Sequence, residues 1–140
     1  MKTIILDAMG GDDYPIQNLM GAKLAVNELN IKVILVGQED LLTKHIKDIS
    51  NWPHDKISIH NADEVVTMED SPSKSFRLKK NSSIQEGLKL VKNKKADAFV
   101  SAGNTGAIMA ASTFILGRSE GVERPTLASI FPSEKNHFVM

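Results

Sequence analysis

The sequence predicts an α/β protein, a mostly parallel sheet with helices on both faces. Three observations predict it. Short apolar runs that read as strands alternate with longer segments of helical periodicity. The first two of these strands run into glycines, at Gly10-Gly11 and at Gly37. Residues 96–117 read as strand, tight loop and helix in immediate succession. Such an order closes into a parallel sheet through right-handed crossovers.

Residues 3–6 form the first strand, and Asp7-Ala8-Met9-Gly10-Gly11-Asp12-Asp13 follows it. Two adjacent glycines after a strand mark a turn or a close backbone approach. Asp12 or Asp13 can cap the next helix, with Pro15 in its first turn. Leu19, Ala22, Val26 and Leu29 share one face of that helix, flanked by Ile16 and Met20. A second strand covers 31–36. Asp40 can cap a second helix, whose Leu41, Leu42, His45, Ile46 and Ile49 fall together. Trp52 follows in a turn, as a packing residue. Residues 56–60 alternate, with Ile57 and Ile59 inward, as a third strand.

Residues 61–82 are different. Asp63, Glu64, Glu69 and Asp70 precede Lys74, Arg77, Lys79 and Lys80 with little periodicity, and 65–68 is the candidate for a short element. A segment this long without regular structure is usually functional or mobile. Its basic half either brings charge to an anionic ligand or an acidic partner, or is a solvated loop. Ser82 and Ser83 with Gln85 and Glu86 give two overlapping capping boxes. Ile84, Leu88 and Val91 stripe the helix that follows, and Lys92, Lys94 and Lys95 complement its C-terminal dipole.

Residues 98–100 then make a short buried strand. Residues 101–106 are small and polar, with Gly103 and Gly106 three apart, and 107–116 is apolar almost all round, as a helix buried on most sides would be. Gly117 sits where a left-handed cap belongs. The free N–H groups of the helix's first turn point at the loop, where the dipole also favours negative charge. Gly103 and Gly106 permit close approach and positive φ, while Asn104 and Thr105 add side-chain donors. The stretch is a site for phosphate or another oxyanion, or else a well-capped crossover without a ligand. Asp7 likewise has two readings. It orients a ligand or loop at the carboxyl end of its strand, or it satisfies N–H groups of the turn. Past 117 come a polar connection, a strand starting within 125–131, a turn at 132–136, and a strand at 137–140 cut by the chain end. That ending leads us to expect that residues 1–140 are the N-terminal part of a single longer domain.

The 140 residues suffice for one domain with a core. Lys plus Arg and Asp plus Glu both number 17, so no global field favours nucleic acid or an anionic membrane. Without cysteine there is no disulfide framework, thiolate metal site or cysteine nucleophile. His45, His54, His60 and His137 lack metal-ligand spacing. Three apolar residues before Asp7 are too few for a signal peptide or a membrane span. Gly117-Arg118-Ser119-Glu120-Gly121 fits G-x-S-x-G, but a helix precedes it where that motif needs a strand. Ser71-Pro72-Ser73-Lys74 fits S-x-x-K without a companion motif, and the glycosylation sequon at Asn81 has no meaning without secretion.

Two longer motifs are specific. Ile5-Leu6-Asp7-Ala8-Met9-Gly10-Gly11-Asp12, followed in order by Ala96-Asp97-Ala98-Phe99-Val100-Ser101-Ala102-Gly103-Asn104-Thr105-Gly106-Ala107, resembles the PlsX family, bacterial phosphate acyltransferases of phospholipid synthesis. Lys79-Lys80-Asn81-Ser82-Ser83 is similar to that family's basic entry to a Ser-Ser helix, with Asn81 where many members have Asp. Glu123-Arg124-Pro125-Thr126-Leu127-Ala128 is similar to its Arg-Pro strand entry.

The resemblance covers the whole chain and implies a Rossmann-like, phosphotransacetylase-like layered fold in members much longer than 140 residues. It implies that inorganic phosphate attacks the thioester of a fatty acyl group on acyl carrier protein, giving acyl phosphate for phospholipid synthesis. Phosphate itself is the nucleophile, so the protein must desolvate and position it and stabilise an oxyanion. On this reading Asn104 and Asp7 are the catalytic candidates. Ser101, Gly103, Thr105 and Gly106, with Gly10 and Gly11, line the phosphate site, and Arg77, Lys79 and Lys80 neutralise charge or meet the acidic carrier. Neither a metal nor another cofactor is expected. A cytoplasmic homodimer that touches membrane only peripherally is implied, with no nucleic-acid partner. The alternatives are a phosphate acetyl- or butyryltransferase-like enzyme using acyl-coenzyme A, and a folded fragment without activity of its own.

Overall fold

The computed structural model describes residues 1–134 and 136–140, so of the turn expected at 132–136, Lys135 lies outside the described residues. In chain order the elements are β1 Lys2–Asp7, α1 Ile16–Glu28, β2 Ile31–Gly37, α2 Glu39–Ile46, β3 Ile57–Asn61, α3 Pro72–Leu78, α4 Ser83–Lys92, β4 Ala98–Val100, α5 Thr105–Ile115, β5 Ile130–Pro132 and β6 His137–Val139. Four strands form one parallel sheet in the order β3-β2-β1-β4, and β5 pairs with β6 as a separate antiparallel hairpin. The fold is therefore the α/β layered one expected, with its last two strands outside the main sheet.

Alternating faces of the strands feed two layers. On one face Val33, Leu35 and Ile57 pack with Leu19, Ala22 and Val26 of α1 and Leu42 and Ile46 of α2, and Trp52 closes the edge. On the other, Ile5 and Val36 pack with Leu90 of α4. Gly87 brings α4 unusually near the sheet, since a Cβ there would lie 2.5 Å from the Phe99 ring. A third cluster joins Ile84 and Leu88 of α4 to Ala107 and Ala111 of α5, with Val66. Thus α5 rides on α4 and on α3, where Phe76 and Phe114 stack at 4.9 Å between ring centres.

Several local expectations are corrected. Neither Asp12 nor Asp13 caps α1; Pro15 occupies the N-cap position, and both aspartates are exposed in the turn before it. Leu29, Ile16 and Met20 are about half exposed, so the buried face of α1 is narrower than its apolar pattern. Asp40 does not cap α2 but stands inside its first turn, and the Glu39 N–H donates instead to Oδ1 of Asn61 at 3.0 Å. Ser82 does cap α4, its Oγ accepting from the Gln85 N–H at 3.4 Å, but neither expected capping box closes, since the Ser82 N–H donates to the Lys79 carbonyl and the Ser83 N–H to the Glu64 carbonyl. No element forms at 65–68. The regular structure within 61–82 is α3, with Pro72 at its start, and it is held from outside: the Gln85 side-chain amide donates to the carbonyls of Phe76 and Lys79 at 2.8 and 3.1 Å. Nor is α5 buried on most sides. Only Ala107 and Ala111 are buried, while Met109, Phe114 and Leu116 are 40%, 69% and 44% exposed. Ile108, Met109 and Leu116 border a cleft, whereas Phe114 lies on Phe76. Among the described residues no helix is long and apolar enough to cross a membrane.

Candidate functional site

The strand order places the site. From β1 the chain winds outward through β2 to β3, then returns past β1 to β4 on its other side. The winding direction therefore reverses between β1 and β4, and in open parallel sheets the carboxyl ends of two such strands border the binding crevice. The loop after β1 carries Asp7, Gly10 and Gly11, and the loop after β4 carries residues 101–104. The two sequence motifs, some ninety residues apart, meet here.

Asp7 joins the loops and is 1% exposed. Its Oδ1 accepts from the Met9 N–H at 3.0 Å, and its Oδ2 from the Ser101 hydroxyl at 2.7 Å. The Ser101 Oγ in turn accepts from the Gly103 N–H at 3.0 Å. Both readings of Asp7 thus hold together, for it satisfies its own turn and orients the neighbouring loop. Both its oxygens already accept hydrogen bonds, which lessens its repulsion of an anion nearby. A Cβ on Gly10 would lie 2.7 Å from the Gly103 nitrogen and 2.8 Å from Oδ2 of Asp7, so glycine there lets the two backbones touch. Gly11 has φ +96°, which only glycine adopts freely. Gly103 and Gly106, by contrast, do not take the positive φ their composition suggested. At Gly106 the constraint is packing, since a Cβ would lie 2.7 Å from Cγ of Pro72 at the head of α3.

Asn104 is 7% exposed and is the N-cap of α5. Its Oδ1 accepts from the Ala107 N–H at 3.0 Å. Its Nδ2 donates to the carbonyls of Thr67, Met68 and Asp70 at 3.1, 3.3 and 3.0 Å. The side-chain amide is fully engaged in fixing the loop to the 67–70 segment. Beyond it, the N–H groups of Thr105 and Gly106 meet no acceptor among the described residues. These are the first two amides of an eleven-residue helix, Thr105 is exposed and Gly106 half-buried. An anion settling there would receive both bonds and the favourable end of the helix dipole.

The basic residues divide. Lys79 Nζ donates to the Val65 carbonyl at 2.8 Å and forms an ion pair with Asp70 at 2.5 Å. It therefore braces the 65–70 segment that Asn104 also holds. Arg77 and Lys80 are exposed, and among the described residues neither hydrogen-bonds residues 101–106. The Lys79 ammonium, with the Thr67 N–H, holds the Asp70 carboxyl below its usual range. A depressed value means stability that is present above the ordinary carboxylate range and lost as pH falls through the depressed one. Replacing Asp70 with Asn should cost about 1 kcal/mol at neutral pH, the ceiling for a partly exposed pair. The gap between variant and wild type in urea midpoints should close as the pH is lowered through that window.

Asn18 carries no signal in the sequence, where a lone polar residue on an amphipathic helix reads as surface. Its Nδ2 donates to the carbonyls of Ala8 and Gly10 at 3.1 and 2.8 Å, and so holds the β1 loop from α1. A cleft of about 610 Å³ opens from Ser101, Gly103 and Thr105 and runs along α5 to Leu127. Among the described residues no three His, Asp or Glu side chains gather to hold a metal ion.

A family model described as "Fatty acid synthesis protein" matches residues 2–140. Among curated proteins, the chain is 45% identical over 133 residues to the phosphate acyltransferase of Koribacter versatilis, covering 95% of this chain and 37% of the relative. It is 48% identical over 134 residues to that of Chlorobaculum parvum, with 94% and 39% covered. With that of Clostridioides difficile it shares 44% over 134 residues, with 94% and 38% covered. The chain thus spans about two fifths of the length of these relatives.

Proposed function

Since the chain belongs to the family described as fatty acid synthesis proteins, whose curated relatives are phosphate acyltransferases, we propose that the full-length protein transfers a fatty acyl group to inorganic phosphate. One observation supports this most: the N–H groups of Thr105 and Gly106, unpaired among the described residues, directly follow the β4 loop that the Asp7–Ser101–Gly103 hydrogen bonds fix at the β1/β4 crevice. Phosphate bound at those amides is held as the nucleophile. One oxygen of hydrogen phosphate attacks the thioester carbonyl, the C–S bond breaks, and the leaving thiolate takes up the proton that the phosphate gives up. The products are acyl phosphate and the free thiol.

Asp7, Ser101, Gly10 and Gly11 act by holding the two loops at a fixed separation, and Asn104 by shaping the turn that presents the amides. Binding a nucleophile in one orientation supplies much of such a rate enhancement. The donor we favour is acyl carrier protein, and Arg77 and Lys80 are exposed cations for its acidic surface. Acyl phosphate then serves phospholipid synthesis. The family resemblance supports a cytoplasmic homodimer with peripheral membrane contact, and it supports activity only in the full-length protein.

The test is an assay of the full-length protein with an acyl thioester on carrier protein or on coenzyme A, with hydroxylamine trapping acyl phosphate. Trapped product that depends on phosphate is expected, with the carrier thioester preferred. Thioester loss indifferent to phosphate refutes the proposal, and preference for coenzyme A turns it to the acetyl- or butyryltransferase type. A sharper arm is Thr105→Pro. Proline is tolerated at the first helical position and lacks the N–H. Asn104 before it already has φ −59° and ψ 105°, an extended ψ that a following proline accepts. Losing one charge-assisted bond should raise the KM for phosphate about 10- to 100-fold, while Thr105→Val, which keeps the amide, should not. Equal KM values in the two variants would move phosphate elsewhere.

A further inference from the structure

We propose that the Lys79–Asp70 ion pair is a positioning device for the phosphate seat: it curls the 65–70 segment around the Asn104 amide, and so sets where the Thr105 and Gly106 amides stand; this rests on the phosphate site proposed above. The segment has little else to shape it. It has no regular structure, Thr67, Met68 and Glu69 are exposed, and Val66 is its one buried side chain. Polar ties do the work instead. Lys79 Nζ donates to the Val65 carbonyl at 2.8 Å and to Oδ2 of Asp70 at 2.5 Å, and the same carboxylate oxygen accepts from the Thr67 N–H at 2.7 Å. One ammonium thus joins the two ends of the segment. Lys79 is itself held, its N–H donating to the Ser75 carbonyl at 2.9 Å and its carbonyl accepting from the Gln85 amide at 3.1 Å.

The curl reaches α5 by two routes. A side-chain amide has only two N–H bonds to offer, so the carbonyls of Thr67, Met68 and Asp70 converge on Asn104 Nδ2 only while the chain is bent round it. The other end of that amide accepts from the Ala107 N–H. Two residues past Asp70, Pro72 lies so near Gly106 that a Cβ there would be 2.7 Å from its Cγ. Thr105 and Gly106 sit between these contacts, and a shift of either moves their N–H groups. Lys79 and Asp70 together carry no net charge, and their side chains are 30% and 26% exposed. The pair therefore adds little field at the seat and acts through geometry, with Lys79 working through Asp70 and Asn104 rather than on phosphate.

The experiment uses Lys79→Met, Asp70→Asn and the double variant in the full-length protein, each assayed well below its thermal transition. Either single change should raise the KM for phosphate about tenfold, the lower end of what is lost when the group behind a ligand is removed, with the KM for the acyl donor unchanged. The double variant should be no worse than either single one, because the two residues serve one contact. Ile46→Val, in the layer on the other face of the sheet, costs stability alone and should leave the phosphate KM as it is. Separately, hydrogen exchange at the Ala107 amide is followed without phosphate or donor, and both single variants should quicken it. Faster exchange supports the device even if no form of the protein makes acyl phosphate, in which case the acyl transfer reading alone falls. Should Lys79→Met fail to fold, Asp70→Asn carries both measurements. In an active protein, a phosphate KM unchanged in the variants overturns the proposal. So does one raised in Lys79→Met but not in Asp70→Asn, as a direct ligand would give, or exchange at Ala107 that the variants leave unaltered.

Discussion

Asn104→Ala is expected to destabilise the protein by about 2–3 kcal/mol, combining a lost helix cap with the loss of the donor to the part-buried hydrogen bonds of the 67–70 carbonyls. The melting temperature should fall by about 10 °C. The size follows from two tasks met by one side chain. Its Oδ1 caps α5, and its Nδ2 ties the carbonyls of Thr67, Met68 and Asp70 to the same turn. Asn104→Asp separates them. The aspartate keeps an acceptor for the Ala107 N–H, and its charge suits a helix N-terminus. But it turns a carboxylate oxygen toward three carbonyl oxygens. We therefore expect Asp to be about as damaging as Ala in urea denaturation. An aspartate variant as stable as wild type would leave the cap as the whole contribution and remove the tie to 67–70.

Gly10→Ala is expected to reduce acyl-phosphate formation by about a hundredfold in the full-length protein, the scale of loss from a misplacement of about 1 Å near reacting groups. An added methyl meets a backbone nitrogen and a buried carboxylate, neither of which is the far end of a flexible chain. The β1 and β4 loops must part, which stretches the Ser101 hydroxyl away from Asp7. Overpacking of this kind also costs about 1–3 kcal/mol, so the variant is assayed well below its melting temperature. The comparison is Gly21→Ala, on the same loop's following helix, where a Cβ meets nothing within 4 Å. Near-normal turnover in Gly10→Ala would mean that the separation of the loops does not matter to the chemistry.

The strands and most helices were legible because each is announced locally. Residues 31–36 are an apolar run closed by a glycine, and the Ser82 cap names the start of α4. The helix α3 was not, because seven residues of mixed polarity have no period long enough to detect, and Gln85 and Asn104 hold its surroundings from elsewhere in the chain. The length of apolar sequence in α5 misled in the other direction: it is as apolar as a buried helix, yet only Ala107 and Ala111 are buried, and Met109 and Phe114 stay exposed. At the site, the sequence marks which loops matter. It does not mark that Asp7 binds Ser101, or that the Asn104 amide faces inward, since both depend on β4 settling beside β1. Strand order is a property of pairing, and no single strand encodes it.

Because α5 is carried by α4 and α3 and not by the sheet, the height of its amides above the β1 loop is inherited. Gly87, far from the crevice, lets α4 sink against Phe99. A methyl group there would act as a shim under α4, lifting the helix stacked on it and shifting the Thr105 and Gly106 amides without touching either loop.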